Sequence, residues 1–305
     1  MAGSVARLKA LATRLWSPAL VAYAISAAVA VASFLSTLLL ARLSGAAVIG
    51  QYALAMSTAT LLASFAVLGL DRILIREVAG DLRQGDGARA RSVLLMVSRG
   101  VALAAAATAV GYVMVLLFTP FVARVDGNRA AMLIVAASAL VWPLQRIGYS
   151  GLRAAGAPVL GQLFEALPTF LFLAGMALIW LGGMTPHAGE AVGLAVAAQG
   201  LACLGAWALL APRAKRWGEA DAAEAGSAER ATVDRQLLLA GLPLMLTLFL
   251  QLFADWLLLA RLSATMSPSD AGAFRVAIQI VTIIATVVAT TEAYVAARLA
   301  GDFRA

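Results

Sequence analysis

The sequence is poor in the residues from which most catalytic and metal sites are built. It has one cysteine, Cys203, and one histidine, His187, which excludes a disulfide framework or a Cys/His metal cluster within the chain. It contains no HExxH, P-loop or G-x-S-x-G motif. We therefore expect a protein that is not an enzyme and uses no metal or cofactor, with His187 exposed in a loop.

Charge is also scarce, whereas apolar runs are abundant. Only 13% of the 305 residues are charged, 62% are hydrophobic, and the mean hydropathy is +0.90. A helix needs about 20 apolar residues to cross a bilayer. The sequence therefore predicts an all-α, polytopic membrane protein with about eight spans: 17–41, 46–70, 92–118, 130–148, 159–182, 190–211, 237–261 and 271–296.

The net charge of +7 indicates membrane orientation rather than a nucleic-acid partner. With the N-terminus inside, seventeen basic residues fall in the predicted inner segments, and the four outer ones are Arg42, Arg124, Arg129 and Arg261. Basic residues favour the cytoplasmic side, so this distribution predicts a cytoplasmic N-terminus. Two inner segments are distinctive: a short basic helix at the membrane surface and a solvated linker, predicted at 1–16 and 212–236.

One heptapeptide occurs twice and divides the chain. Leu-Leu-Leu-Ala-Arg-Leu-Ser stands at 38–44 and again at 257–263, each time followed by a short loop and a new apolar run. We interpret this as one helical hairpin used twice, in a six-span first lobe at 17–211 and in the two spans that start a second lobe at 237–305. Six spans per lobe give both lobes the same orientation, so the axis relating them runs along the membrane normal.

Four stretches resemble a known family. The runs LLLARLSGAAVIGQYALA (38–55) and LGLDRILIREVAG (68–80) resemble the N-terminal region of bacterial polysaccharide-export flippases of the O-antigen type. GYSGLRAAGAPVLGQLFEALPTFLF (148–172) is similar to the fourth and fifth helices of that family. GLPLMLTLFLQLFADWLLLARL (241–262) looks like its seventh helix. These flippases belong to the MOP exporter superfamily, with the lipid II flippases and the multidrug and toxin extrusion (MATE) antiporters.

The resemblance implies a MOP/MATE-like bundle of about twelve to fourteen helices in two lobes, of which this chain lacks roughly four or more at its C-terminal end. It implies a multi-pass protein of the bacterial inner membrane. Such proteins move a polyprenyl-pyrophosphate-linked oligosaccharide to the outer leaflet by alternating access, for surface polysaccharide (lipopolysaccharide) biosynthesis. The partners implied are the lipid-linked oligosaccharide and the polysaccharide polymerase and ligase machinery. Transport by a chain without those helices is in question.

Two polar pairs in the last two spans are candidates for the cavity wall, because polar groups are costly in hydrocarbon. Gln251 and Asp255 share one helix face, and Arg275 and Gln279 share another. Asp255 and Arg275 lie at roughly similar depths and could meet across the hairpin. Aligning the heptapeptides, and Gly50 with Gly272, puts Ser36 and Ala53 at the matching first-lobe positions, so both charges are present only in the second copy. Arg275 could meet a phosphate; alternatively, the two residues form a structural ion pair.

A second candidate group combines Arg99 in the third span with Gln162 and Glu165 in the fifth, all in the cytoplasmic half. Pro168 follows Glu165 by about one turn, and a kink there could open a cavity toward the cytoplasm. In the alternative interpretation, Arg99 extends to the membrane surface and Pro168 is a tolerated bend.

A third candidate group follows the second span and is formed by Asp71, Arg72, Arg76 and Glu77. Arg72 and Arg76 share a helix face toward the leaflet where a lipid-linked substrate would be loaded. Anionic membrane lipids would attract the same side chains, so the group could instead serve to set topology.

Three functions remain open from the sequence. The first is the lipid-linked oligosaccharide flippase, which needs cationic groups for the pyrophosphate and lobes that rock. The second is a cation-coupled multidrug antiporter of the same superfamily, which is disfavoured because the first two spans carry no acidic residue before Asp71. The third is a truncated, non-transporting membrane scaffold or assembly partner, which the missing helices favour.

Overall fold

The computed structural model describes residues 18–67, 69–118, 129–217, 246–247 and 249–281. Within these ranges the chain is helical and contains no strand. The helices are α1 Pro18–Val67, α2 Leu70–Gln84, α3 Gly87–Phe118, α4 Arg129–Ala154, α5 Pro158–Leu181, α6 Ala188–Trp217, α7 249–265 and α8 268–281. The predicted N-terminal segment 1–16 lies outside the described residues. So does most of the predicted linker 212–236: only its beginning is described, and that part belongs to α6, which continues to Trp217.

The 50 residues of α1 contain a reversal at Gly45, where φ is 81° and ψ is 173°. Before it, α1 runs alongside α5: Ser26 contacts Gln162 near the start of α5, and Ser44 donates to the carbonyl of Pro186 just beyond the end of α5. After it, the chain returns along α5, because Tyr52 stacks on Phe172. α1 is therefore a hairpin whose two arms cover the first two predicted spans.

In the described part of the chain, five helices are long and apolar enough to cross a bilayer. They are the one at Tyr23–Val67, which contains the reversal, and those at Gly87–Phe118, Ala131–Ala154, Pro158–Leu181 and Ala188–Trp217. Their outward faces carry bare apolar side chains such as Leu103, Leu178 and Leu204, each about 70% exposed (73%, 68% and 70%). Such a surface is unfavourable in water and suits contact with lipid. The protein is an all-helical, multi-pass membrane protein.

Between the first hairpin and α3 lies an amphipathic helix, α2, where the sequence predicted part of a link. Glycines in the left-handed conformation bound it, Gly69 with φ 71° and Gly85 with φ 83°. Its apolar face packs into a core shared with α3, α4 and α6, and its basic face is exposed. The buried apolar residues of α2 are Leu70, Ile73, Leu74 and Val78.

Within the first lobe, α4 packs tightly on α6. A Cβ added at Gly148 would lie 3.2 Å from Nε1 of Trp207, and one at Gly151 would overlap the side chain of Leu210. The small residues let the helices approach, as is common in membranes. Nearby, the hydroxyl of Ser138 donates to Oε1 of Gln199 across 3.0 Å.

The helices of the second repeat lie against both arms of α1. An aromatic series runs along α7 beside the second arm of α1, from the Phe65–Phe249 contact through Phe253 to Trp256. The indole N–H of Trp256 donates to the hydroxyl of Thr58 across 2.9 Å. α7 therefore runs antiparallel to the second arm of α1, and the second repeat is packed directly on the first lobe.

Candidate functional site

The candidate site is organised along one polar face of the first arm of α1. Ser26 and Ser33 are seven residues apart, two helical turns, and therefore share a face at a separation of roughly 10 Å. Ser26 is reached by Gln162 of α5 over 3.4 Å, and Ser33 accepts a hydrogen bond of 2.7 Å from Gln279 of α8. The same face of α1 thus contacts a polar group of the first lobe and one of the second repeat.

One end of this face, on the predicted cytoplasmic side, is an arginine-centred cluster. Arg153, in the last turn of α4, donates to Oε1 of Gln162 across 2.6 Å and to the carboxylate of Glu165. Its guanidinium also lies 5.1 Å from the ring centroid of Tyr149. The tight turn at Gly156 (φ 77°) joins α4 to α5 and holds these residues together. A guanidinium held by a carboxylate, an amide and an aromatic face is pre-organised to bind an anion.

Arg99 is not part of this cluster. The sequence placed it with Gln162 and Glu165, but in the structure Arg153 occupies that position and Arg99 is exposed on α3. Arg153 is brought close by a short turn along the chain, whereas the helical phase of α3 directs Arg99 outward. α5 is helical from Pro158 to Leu181 with Pro168 inside it, so the proline does not end the helix.

The second polar group lies between α8 and α1, further toward the predicted outer side. Gln279 is 6% exposed and its amide reaches Ser33. Arg275, one turn earlier, is half-buried, and its charge acts on Tyr52, the residue whose ring stacks on Phe172 at 5.4 Å. The predicted pair Arg275 and Gln279 therefore faces the first lobe.

Asp255 and Gln251 do not join them. Both side chains are exposed on α7, and within the described ranges no ion pair links Asp255 to Arg275. The face of α7 that meets the first lobe is occupied instead by Trp256 and Leu259. Similar depth in the membrane did not bring the two charges together, because the two helices turn different faces toward each other.

The charged cluster after the second span, predicted to be cytoplasmic, is divided between two environments. Asp71 is 7% exposed and accepts a hydrogen bond of 2.7 Å from Nη2 of Arg146 on α4. Arg72 and Arg76 lie on the exposed side, as their shared face predicted, and Arg76 pairs with Glu77 across 2.8 Å. Asp71 is thus an anchor for α2, while the two arginines are accessible.

The two copies of the repeat meet at equivalent residues. Gly50 and Gly272, which the repeat aligns, lie in direct contact: a Cβ at Gly50 would be 3.1 Å from N of Gly272, and a Cβ at Gly272 would be 3.2 Å from N of Gly50. Each would also overlap the carbonyl one turn before the partner glycine, that of Pro268 or Ala46. The contact is therefore reciprocal, as at a two-fold axis.

Sequence reasoning missed Arg153, Arg146, Tyr52 and the two serines of α1. Arg153 and Arg146 carry a signal, since both are arginines in α4 near predicted span ends, but they were counted only toward topology. Ser26 and Ser33 carry a weaker signal, because their spacing of seven residues places them on one face of a helix. His187 is exposed, and its backbone N–H donates to Glu190 at the start of α6 across 2.9 Å, a helix-capping role.

The fold and site define an all-helical membrane protein with a polar face running between two repeats. Comparison with protein-family models, with curated proteins and with solved structures finds no match for this chain. Among the described residues, no group of three or more His, Cys, Asp or Glu side chains is placed to hold a metal ion. The described side chains of the site offer hydrogen bonding by serine and amide groups and binding of anions by arginine.

Proposed function

We propose that the protein is a flippase of the MOP exporter type, which translocates a polyprenyl-pyrophosphate-linked oligosaccharide from the cytoplasmic to the outer leaflet of the bacterial inner membrane. The proposal includes eight spans in this chain, a MOP-like arrangement of lobes and alternating access. The sequence resemblance supplies the substrate class. The polar face of α1 supplies the structural support.

The observation that carries the proposal is the position of Ser26 and Ser33 on one face of α1. Ser26 contacts the first lobe through Gln162, and Ser33 contacts the second repeat through Gln279. A transporter whose lobes rock needs polar groups along the surface where the lobes face each other, because polar groups elsewhere in the membrane are costly. The face on α1 meets this requirement.

Arg153 is the group best suited to receive the pyrophosphate on the cytoplasmic side. Its guanidinium is held between Gln162 and Glu165, so its charge is balanced while no substrate is bound. A phosphate offers the same bidentate acceptor geometry as a carboxylate and carries more charge, so it competes with Glu165 for the arginine. In this proposal Arg275, whose charge acts on Tyr52, receives the same group at a later stage.

Deletion of the gene in its host tests the proposal. We expect lipid-linked glycan to accumulate in the inner leaflet and surface polysaccharide to fall. Complementation with Arg153→Ala should fail, while Arg99→Ala, a matched control in which an exposed arginine of α3 is removed, should restore surface polysaccharide to the wild-type amount.

Normal surface polysaccharide in the deletion strain would refute the proposal. Increased sensitivity to cationic drugs, with normal polysaccharide, would favour the antiporter instead. If neither changed, a non-transporting scaffold would be favoured. Protein amounts of each variant in the membrane fraction need to match, so that a loss of function is not a loss of folding.

A further inference from the structure

Six exposed basic side chains gather at the cytoplasmic end of the first lobe, on three helices. We call this set the cationic band: Arg72, Arg76 and Arg83 on α2, Arg89 at the start of α3, and Lys215 and Arg216 at the end of α6. The sequence grouped only the first two of them as a candidate. Residues more than a hundred positions apart come together here, so the band is a property of the fold.

Contact between Gly87 and Trp217 brings the α3 and α6 parts together. A Cβ at Gly87 would lie 3.2 Å from Cα of Trp217 and would overlap its carbonyl oxygen. The side chain of Trp217 packs on the same core as the buried face of α2. The last turn of α6, with Lys215 and Arg216, therefore adjoins the α2–α3 junction.

Carboxylates balance only part of the band. Glu77 pairs with Arg76, Asp81 pairs with Arg89 at 3.6 Å, and Asp86 accepts a hydrogen bond from the backbone N–H of Arg89, so three carboxylates face six basic side chains. Arg83 donates to the carbonyl of Ala79, and Arg72 has no partner in the described part of the chain. The band therefore carries a clear excess of positive charge.

The residues next to the band indicate its depth relative to the membrane. Exposed apolar side chains lie within two helical turns of it along the chain, Phe65 before α2 (49% exposed) and Leu95 on α3 (40% exposed). Such side chains suit lipid, and Trp217 beside the band suits the headgroup region. The band thus lies where the hydrocarbon ends and the headgroups begin.

We propose that the cationic band binds the anionic phospholipids of the inner leaflet, and that it recognises them as headgroups within a lipid surface rather than as free phosphate. Arginines near an anionic surface are attracted to it over a Debye length. Fixing α2 to the headgroups would fix the first lobe at one depth while the rest of the molecule moves. This binding does not depend on what the protein transports.

The test is thermal unfolding of the full-length chain in mixed micelles with increasing phosphatidylglycerol. We expect the lipid to raise the Tm, with phosphatidylcholine giving no such rise. Each arginine near an anionic surface contributes about fivefold in affinity, so Arg72→Gln/Arg76→Gln/Arg83→Gln should bind phosphatidylglycerol roughly 100-fold more weakly. The matched control is Arg42→Gln/Arg261→Gln, which removes two exposed arginines from the predicted outer side and should respond like the wild type.

A triple variant that responds like the wild type would overturn the proposal. So would an equal rise in Tm with inorganic pyrophosphate in plain micelles that the triple variant abolishes, because that would indicate a free-phosphate site within the band. If the glutamine variant does not fold, Arg72→Lys/Arg76→Lys/Arg83→Lys keeps the charge and should retain the response. The wild-type response should also disappear at high salt, and a response that persisted there would count against the proposal.

Discussion

Ser26 and Ser33 place polar groups inside a membrane helix at small cost, because a hydroxyl can also satisfy itself on its own helix. Ser36, one turn further along, does this by donating to the carbonyl of Ala32 across 2.7 Å. Ser33 instead accepts a bond from Gln279, an amide that is nearly fully buried. A residue that costs little when unpartnered suits a surface whose partners would change during the proposed transport.

The glycine contact between the repeats predicts a large effect from a single methyl group. Gly50→Ala should lower the free energy of unfolding by about 1–3 kcal/mol, because the Cβ meets backbone atoms that can move only if the helices separate. Thermal unfolding in detergent measures this. Gly111→Ala is the control: its Cβ meets nothing within 4 Å, and alanine favours helix, so that variant should be as stable as the wild type or more stable.

The raised pKa of the Asp81 carboxyl predicts that the stability of the protein depends on pH. Burial raises the pKa of this carboxyl above the ordinary value, against the opposing effect of Arg89. A raised folded-state pKa means that the folded protein holds the proton more tightly than the unfolded chain, so stability is lost as the pH rises through the folded pKa. One carboxylate oxygen, Oδ2, also has no hydrogen-bond partner in the described part.

We therefore expect Asp81→Asn to stabilise the protein at pH 7 by roughly 1 kcal/mol and to have no effect below the ordinary carboxyl range. Thermal unfolding at a series of pH values checks both statements. A difference between the variant and the wild type that is the same at pH 7 and at pH 3.5 would show that ionisation of Asp81 is not its cause.

At the scale of helices, the reversal at Gly45 and the amphipathic α2 show what the sequence could and could not predict. Apolar run length predicted that two spans flank residues 42–45, and Gly45 provides the left-handed φ that a reversal without a loop requires. The basic sequence from Asp71 to Arg83 was interpreted as part of a link, although its apolar residues recur with helical period. Its low hydropathy hid a helix that packs on the lobe rather than crossing the membrane.

The Asp71–Arg146 pair anchors α2 to α4, and we expect its loss to loosen α2. Asp71→Ala leaves Arg146 partly buried without its carboxylate and should cost about 3–5 kcal/mol. Hydrogen–deuterium exchange should show faster exchange across α2. Glu77→Ala, which breaks an exposed pair, should cost at most about 1 kcal/mol and leave exchange unchanged. Equal exchange in the two variants would contradict the anchoring role.

The choice between Arg153 and Arg99 as the partner of Glu165 shows where inference from sequence stops. Both arginines are near the predicted cytoplasmic side, and hydropathy gives only depth. Which of them meets α5 depends on helix rotation and on the short connection through Gly156. The same holds for Asp255 and Arg275, whose depth was estimated while the rotation of α7 was not.

For the whole molecule, the repeat was predictable because the same heptapeptide occurs twice in the sequence. The packing of the two copies on each other was not predictable from it. The contacts that flank the glycine crossing are themselves nearly equivalent. Aligning the copies maps Ser33 to Leu252 and Gln279 to Ser57, each within one turn of Trp256 and Thr58. The two arms of α1 thus form matching contacts with α8 and α7.

These contacts can be tested by cross-linking the residues that form them. In a Cys203→Ala background, Ser33→Cys/Gln279→Cys should be linked by a short bifunctional thiol reagent, so that the two parts stay together after cleavage at a protease site inserted within 218–236. Ser33→Cys/Gln251→Cys is the control and should separate, because Gln251 is exposed on α7. If the proposed transport requires the repeats to move apart, the linked protein should be inactive and regain activity on release.

A self-complementary contact has a consequence for the ancestry of the chain. Because Gly50 and Gly272 each meet the backbone one turn before the other, two separate copies of a single ancestral hairpin could form the same contact with no residue changed. Homodimerisation could then have preceded gene fusion. After fusion, each copy was free to diverge. The second copy carries Arg275 and Gln279 at the positions where the first copy has Ala53 and Ser57.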